Sequence, residues 1–159
     1  MTPDALAHLH ARAMTHGSHW SATDFADLLA TSGSFLTLAP SSLQKYAPGG
    51  ARGGETLSQN LEGFALGRLI LDEVELLTLV VAPEQQGRGL GKTLLNRFET
   101  EALCRGASTA FLEVAATNAP ALALYGTAGW AETGRRPAYY TAGASPVDAI
   151  LMSKALTPA

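Results

Sequence analysis

The chain has 159 residues, of which 47% are hydrophobic and 16% are charged, and its formal net charge is -3. These values predict one folded globular domain over residues 1–159 and exclude a disordered chain. The small acidic charge disfavours nucleic acid as a partner, and charged residues interrupt every apolar run before it could span a membrane. The single cysteine, Cys104, allows no intrachain disulfide, and no export signal is visible. We therefore expect a cytoplasmic protein.

The first part of the chain predicts two helices, a strand and a loop. A helix over residues 5–14 follows the capping sequence Thr2-Pro3-Asp4, and a second helix over residues 22–30 follows Ser21. Residues 34–39 are typical of a short strand. Residues 40–60 are rich in glycine, serine and proline, so we expect a flexible loop there.

Two apolar runs then predict a β-hairpin, and a helix follows it. The runs cover residues 61–71 and 74–81, and the charged pair Asp72-Glu73 between them indicates the turn. Apolar residues recur at helical spacing from Gly89 onwards, until Gly106 ends the pattern.

The last third of the chain alternates between strand and helix patterns. A strand is predicted over residues 109–115, a helix over 119–128 with Asn118 as its cap, and a strand that starts at Gly129-Trp130. A final strand over residues 147–154 follows a predicted loop that contains Arg135, Arg136, Tyr139 and Tyr140. Strands joined by helices at this spacing predict a mixed α/β sheet.

Three alternating glycines, Gly87, Gly89 and Gly91, lie between a strand pattern and a helical pattern. This order places bare backbone N–H groups at a helix start, an arrangement that binds phosphate. A mononucleotide P-loop would need glycine where Gln86 stands, and the dinucleotide fingerprint G-x-G-x-x-G would need glycine where Lys92 stands. The pattern Q/R-x-x-G-x-G/A is complete here, and it resembles the acetyl-coenzyme A loop of the GNAT superfamily of N-acetyltransferases.

Two residues are candidates for acid–base chemistry. Glu113 lies in an apolar strand pattern, where a carboxylate is costly to bury without a partner or a function. It could be a general base that takes a proton from an attacking amine, or a strand-end residue in solvent or in a structural ion pair. Tyr125 lies seven residues after Asn118 and should share its helix face. It could be a general acid to a departing thiolate, or a core tyrosine.

The resemblance extends over nearly the whole chain. Leu112-Glu113-Val114, Asn118, Ala123-Leu124-Tyr125 and Gly129-Trp130 resemble the L-E-V, N-x-x-A-x-x-L-Y and G-F signature of the ribosomal-protein alanine N-acetyltransferases known as RimI. Trp20-Ser21 near the start is similar to that family's P-W-S segment. Near the end, Arg136 with Tyr139-Tyr140 is similar to its R-x-x-Y-Y pattern, and residues 148–152 are similar to its D-A-x-x-M pattern.

The resemblance implies a fold and an activity. The fold would be the GNAT α/β fold, with a mixed, mostly antiparallel central sheet that is splayed in the middle and flanked by about four helices. The activity would be direct transfer of acetyl from acetyl-CoA to a protein α-amine, with no metal and no acetyl-enzyme. The family's acceptor is the N-terminal alanine of the eighteenth small-subunit ribosomal protein. For this chain we expect no nucleic acid or membrane partner, and we favour a monomer.

The resemblance also implies roles for particular residues. Glu113 would be the base and Tyr125 the acid, while Trp20, Tyr139 and Tyr140 would bind the acceptor. The residues that would bind the cofactor are Leu79, Val80, Val81, Gln86, Gly87, Arg88, Gly89, Leu90, Gly91, Lys92 and Asn118.

The chain departs from the family pattern in three places. Residues 1–3 leave no room for the strand that precedes the family's first helix, residues 40–60 are longer than usual, and Trp130 replaces phenylalanine. The four histidines have no cysteine or carboxylate set to complete a metal site, so we expect none. Two other functions stay open: acetylation of a small-molecule amine on the same fold, and a non-catalytic acyl-CoA sensor.

Overall fold

The computed structural model describes residues 1–15, 17–39, 61–141 and 145–158. The loop predicted over residues 40–60 lies outside this part of the chain. None of the described helices is long and apolar enough to cross a membrane. Besides a short 3-10 turn, the described helices are α1 (Pro3–Ala13), α2 (Ala22–Ala30), α3 (Leu90–Cys104) and α4 (Ala119–Thr127).

In the described part of the chain, six strands form one mixed sheet in the order β1-β2-β3-β4-β6-β5. The β3–β4 pair is parallel and the other four pairs are antiparallel. This is the predicted mixed and mostly antiparallel sheet. The strands are β1 (Ser34–Leu38), β2 (Gly63–Ile70), β3 (Glu73–Val81), β4 (Thr109–Ala115), β5 (Ala131–Tyr140) and β6 (Val147–Ala155).

The hairpin turn lies one residue earlier than the sequence predicted. Ile70 pairs with Glu73, so the turn consists of Leu71 and Asp72. Leu71 is 91% exposed and has a φ of 58°. The prediction at Asp72-Glu73 was wrong because an apolar side chain is rare at a positive φ, where glycine, asparagine and aspartate are favoured.

The predicted loop after Trp130 is also wrong in part, because residues 135–140 belong to β5. The pairing of β5 with β6 shifts register between Arg136 and Tyr140, and Ala138 has a φ of 52°. The backbone N–H of Ala138 donates to the Asp148 carboxylate at 2.8 Å, where it would otherwise need a ladder partner. This irregular segment has no alternating pattern, which is why its sequence was interpreted as a loop.

The sheet opens between its two parallel strands. The pairing of β3 with β4 covers only three residue pairs and ends at Glu75 and Phe111. Immediately beyond, β3 has a bulge: Leu66 pairs with Thr78 and Gly67 pairs with Leu76, so Leu77 is an extra residue. A bulge bends its strand and increases the local twist, and β3 therefore diverges from β4. The expected splay in the middle of the sheet is confirmed.

Each face of the sheet has its own hydrophobic core. Helices α1 and α2 cover a cluster that includes Leu6, Phe25 and Phe64, and the other face carries a cluster that includes Phe98 and Leu112. The bulge also reverses the side-chain alternation of β3, so that every second residue points to one face of the sheet before the bulge and to the other face after it. Val74 and Leu76 belong to the second cluster, whereas Val80 belongs to the first.

An aromatic cluster joins α1 to the segment that leads into α2. The His10 ring stacks on Trp20, with centroids 5.1 Å apart, and meets Phe25 edge-on. His10 Nδ1 accepts a hydrogen bond from the Trp20 backbone N–H at 3.4 Å. Burial, followed by the charge of His19, lowers the pKa of His10 to about 4, so this imidazole is neutral at physiological pH.

This lowered pKa predicts that acid destabilises the fold. Between pH 6.5 and pH 4 the unfolded chain binds a proton at His10 that the folded chain does not, so stability falls as the pH falls. From pH 7 to pH 5 we expect the wild type to lose about 2 kcal/mol of unfolding free energy through this residue. Urea unfolding at both pH values should show that loss reduced in His10→Asn, which keeps an acceptor for the Trp20 N–H.

The matched control is His8→Asn, at an exposed position of the same helix. It should keep the full acid sensitivity of the wild type. Equal sensitivity in His10→Asn and the wild type would contradict the assignment.

Candidate active site

The divergence of β3 and β4 creates two connected cavities. A cleft of about 180 Å³ lies between the strands, and a larger groove of about 630 Å³ runs from the end of β3 to the start of α3. Leu79, Asn118 and Tyr125 line both. A ligand in the groove can therefore extend between the two strands and into the cleft.

One end of the groove is built for an anion. The loop reaches α3 through Gly87 and Gly89, whose φ angles are 75° and 81°. Gly89 is the N-cap of α3 and supplies no side-chain cap, whereas Thr2, Ser21 and Asn118 cap the other three described α-helices. The first turn of α3 carries no acidic residue. Its N–H groups and the positive end of its dipole therefore face the groove, as a pyrophosphate requires.

The side chain of Gln86 fixes the position of this loop. Its Nε2 donates to the Val81 backbone oxygen at 3.1 Å and ties the loop to the end of β3. A surface ion pair of 2.7 Å between Arg12 and Glu84 ties the same loop to α1. The Q/R position of the sequence pattern thus has a structural use, because it holds the glycines beside the groove.

All but one of the predicted cofactor residues line the groove. Arg88 is the exception: it is exposed, and its Nη1 lies 3.5 Å from the Gln85 side-chain oxygen. The residues that do line the groove are Leu79, Val80, Val81, Gln86, Gly87, Gly89, Leu90, Gly91, Lys92 and Asn118.

The two predicted acid–base residues line the same cleft. Glu113 comes from β4 and Tyr125 from α4. Asn118 also lines the cleft, and its Oδ1 caps α4 by accepting from the Ala121 N–H at 3.3 Å. Burial, with a smaller effect of Tyr140, raises the pKa of Tyr125 to about 12. The phenol therefore keeps its proton throughout the physiological range.

Glu113 is less buried than its sequence suggested, and it has a partner. Its side chain is 25% exposed, and Oε1 lies 3.1 Å from Arg136 Nε. Glu113 therefore has features of both interpretations. It lines a cleft, as a general base would, and it forms an ion pair, as a structural residue would. The sequence analysis missed this contact because it placed Arg136 in a loop. The R-x-x-Y-Y pattern was the signal that singled out Arg136.

The predicted acceptor residues surround the open side of the cleft. Trp20 and Tyr140 line the cleft, and both also line an adjoining cavity of about 450 Å³, together with Tyr139 and Glu113. Tyr139 and Tyr140 meet edge-on, with centroids 5.2 Å apart. Glu113 therefore lies where the cleft meets this aromatic opening. The sequence analysis also did not place His10 here, although it lines the cleft.

A splayed parallel strand pair, a glycine-rich helix start and a cleft lined by Glu113 and Tyr125 are the features expected of the class of N-acetyltransferases. The comparison with known families agrees. The sequence model of the Acetyltransferase (GNAT) family matches residues 17–130. The chain belongs to this family.

Two named relatives show which members of the family this chain is similar to. A [ribosomal protein bS18]-alanine N-acetyltransferase from Salmonella typhimurium is 40% identical over 98 residues, which cover 62% of this chain and 66% of that protein. The crystal structure of the ribosomal-protein-S18-alanine N-acetyltransferase from Escherichia coli is similar with a TM-score of 0.76. At 30% identity, the match covers 99% of this chain and 89% of that one.

The donor of this family is acetyl-CoA. A candidate acetyltransferase from Salmonella typhimurium, solved with its cofactor acetyl-CoA, is 25% identical with a TM-score of 0.58, over 64% of this chain and 62% of that one. The groove described above fits such a donor, because it combines an anion cradle with a long channel that ends at the cleft.

The glycine cradle makes a testable prediction. Gly89→Ala places a methyl group at a φ of 81°, which costs about 1 to 2 kcal/mol and displaces the N–H groups that face the groove. Loss of one or two hydrogen bonds to a charged group should weaken coenzyme A binding by about tenfold or more. Isothermal titration calorimetry with coenzyme A measures this change.

Gly106→Ala is the matched control. Gly106 has a φ of 95° at the other end of α3, and no atom lies near its added Cβ. The control should lose similar stability and keep coenzyme A affinity. Equal affinity losses in the two variants would show that strain, and not the cradle, explains the effect.

Proposed function

We propose that this chain is an N-terminal protein acetyltransferase, whose acceptor is the N-terminal alanine of the eighteenth small-subunit ribosomal protein. One observation carries the proposal: Glu113 and Tyr125 line a cleft that joins a phosphate-binding groove on one side to an aromatic opening on the other. The names of the relatives support this acceptor. A ribosomal-protein acceptor places the activity in the cytoplasm.

Glu113 would act on the acceptor amine. A protein α-amine has a pKa of about 7.7 to 8.0, so most of it carries a proton at neutral pH and cannot attack a carbonyl carbon. Glu113 lines both the cleft and the aromatic opening, where its carboxylate can take, directly or through a water, the proton that the neutral amine nitrogen loses when it attacks the thioester.

Tyr125 would act on the leaving group. Acetyl-CoA supplies the acetyl group as a thioester, and its sulfur leaves as a thiolate unless a proton reaches it. The Tyr125 hydroxyl lines both the groove and the cleft and holds its proton because burial raises its pKa to about 12. It is therefore a proton donor that keeps its proton at neutral pH, until the departing sulfur takes it.

The donor would be held mainly by backbone groups. Beyond Glu75, the described part of the chain gives β3 no strand partner on its β4 side. Residues 79–81 can therefore offer backbone N–H and C=O groups to the pantetheine amides, as a neighbouring strand would. Gly87, Gly89 and Gly91 would hold the pyrophosphate, and Lys92, which also lines the groove, would add positive charge beside it.

The two assigned roles predict a separation of binding from turnover. Glu113→Gln and Tyr125→Phe each remove one proton-transfer group while keeping the side chain's shape, so kcat should fall by about 10²- to 10⁴-fold. Coenzyme A affinity should change little, because neither role involves holding the donor. Steady-state kinetics and calorimetry on the same preparations measure both quantities.

Glu132→Gln removes an exposed carboxylate from β5 and is the matched control, with kcat expected to stay at the wild-type level. Full activity in both Glu113→Gln and Tyr125→Phe would refute the assigned roles. It would leave the donor groove unaffected and favour an acyl-CoA-binding protein with a different catalytic centre.

The proposed acceptor predicts a preference among N-terminal peptides. With acetyl-CoA, a peptide that begins with alanine should be acetylated on its α-amine faster than peptides that begin with serine or methionine. Mass spectrometry locates the acetyl group, and a peptide with a blocked α-amine and a free lysine is the control that should not react. If free polyamines are acetylated and no peptide is, the proposed ribosomal acceptor is wrong and a small-molecule amine is favoured as the acceptor.

A further inference from the structure

Arg136 reaches the candidate base across an intervening strand. In the sheet, β6 lies between β4 and β5; Glu113 is in register with Leu151 of β6, and Arg136 is in register with Ala149. Glu113 and Arg136 are therefore offset by two residues along β6. The side chains meet with a distance of 3.1 Å between Arg136 Nε and Glu113 Oε1.

The same guanidinium also contacts the aromatic opening. Its Cζ lies 5.6 Å from the centroid of the Tyr139 ring, in a cation–π arrangement. Arg136 therefore bridges the carboxylate that would take the acceptor's proton and a side chain that would line the acceptor's path. Its side chain is 55% exposed, so this pair contributes little to stability, and its position beside the cleft needs another explanation.

Among the described residues, the other ionisable groups that line the cleft and the adjoining cavity supply no competing positive charge. His10 of α1 lines the cleft but is neutral, because its pKa is about 4. Glu75 of β3 lines the adjoining cavity and is paired with Arg68 at 3.2 Å. The remaining groups are phenols: Tyr125 of α4 and the β5 residues Tyr139 and Tyr140.

A carboxylate at an amine site has a disadvantage. A protonated amine can form an ion pair with it and remain protonated, and that complex is unproductive because an ammonium has no lone pair for attack. A guanidinium beside the carboxylate repels the ammonium and leaves the neutral amine unaffected. At a protein surface, the repulsion between two unit charges about 4 Å apart is enough to change a binding constant by about tenfold or more.

We propose that Arg136 is a positioning residue that prevents a protonated acceptor from forming an unproductive ion pair with Glu113. Arg136 would lower the pKa of the bound amine, so the cleft would favour amines that are neutral when they bind. An α-amine is neutral more often than an alkyl amine such as that of lysine. At neutral pH about a tenth of an α-amine is neutral, against less than about one part in a thousand for a lysine-type amine. This inference rests on the proposed acetyl transfer at Glu113.

The first test separates kcat from KM. In Arg136→Gln the bound ammonium is no longer repelled, so at neutral pH both kcat and KM for an alanine-initiated peptide should fall by about tenfold while kcat/KM changes little. The acid limb of the kcat profile should move up by about one pH unit, because the bound amine holds its proton more tightly. The acid limb of kcat/KM follows the free amine and should stay in place.

Two further variants make this test specific. Arg136→Lys keeps the positive charge and should keep the wild-type kcat profile. Arg135→Gln removes the same charge from the adjacent residue, which pairs with Glu132 at 2.7 Å, and it should also behave as wild type. A fall in kcat for Arg136→Gln with unchanged KM and an unchanged kcat profile would mean that Arg136 has only a structural role, and would overturn the proposal.

The second test does not depend on acetyl transfer. An alanine-initiated peptide with a trimethylated α-nitrogen carries a permanent charge, and the isostere with carbon in place of that nitrogen is neutral. Calorimetry gives the ratio of their dissociation constants, charged over neutral, and this ratio should be about tenfold lower in Arg136→Gln than in the wild type. The same ratio in both proteins would overturn the proposal.

The two tests distinguish failure of this inference from failure of the proposed function. If the wild type acetylates no peptide, the proposed acceptor is wrong, and the calorimetric ratio still decides whether Arg136 excludes cations from Glu113. If the peptide is acetylated and the ratio does not change, the function stands and the role of Arg136 is wrong.

Discussion

The extra residue in β3 is the constraint on which the site depends. Up to Glu75, β3 and β4 are held together as a parallel pair; at Leu77 the bulge bends β3 away, and the pairing stops. A continuous ladder would satisfy the backbone of both strands and leave no space between them. Because the ladder is broken, β3 offers polar backbone to a ligand, and the gap admits the side chains of Glu113 and Tyr125. Donor site and catalytic cleft thus share one structural cause.

The opened sheet is held together by contacts on both of its faces. On the α3 side, Glu99 accepts from the Trp130 indole N–H at 2.9 Å and pairs with Lys154 of β6 at 2.6 Å. These contacts tie α3 to the β4–β6–β5 half of the sheet. On the other face, α1 and α2 pack against the β1–β2–β3 half through Phe25 and Phe64. Trp130, which departs from the family's phenylalanine, therefore adds a hydrogen bond that phenylalanine could not make.

The helices and strands that depend on residues close together in the sequence were predicted at the right places. Capping by Thr2 and Ser21, helical spacing after Gly89 and the apolar run over residues 74–81 each act within a few residues, and the structure has those elements at those places. Errors arose where a distant contact overrides propensity. Leu71 occupies a turn because the pairing of Ile70 with Glu73 closes the hairpin there.

The contact between Arg136 and Glu113 was beyond prediction for the same reason. It depends on β6 lying between β4 and β5, and no spacing within either strand contains that order. The effect of this contact on the chemistry of Glu113 is clear from a comparison with the surroundings of Tyr125. The phenol is buried, which raises its pKa and keeps its proton in place, while the carboxylate is partly exposed and lies beside a guanidinium. A proton donor and a proton acceptor can coexist in one small cleft only when their surroundings differ in this way. The fold supplies the difference by burying Tyr125 on the inner side of α4 and by placing Glu113 on a strand that Arg136 reaches from the sheet's edge.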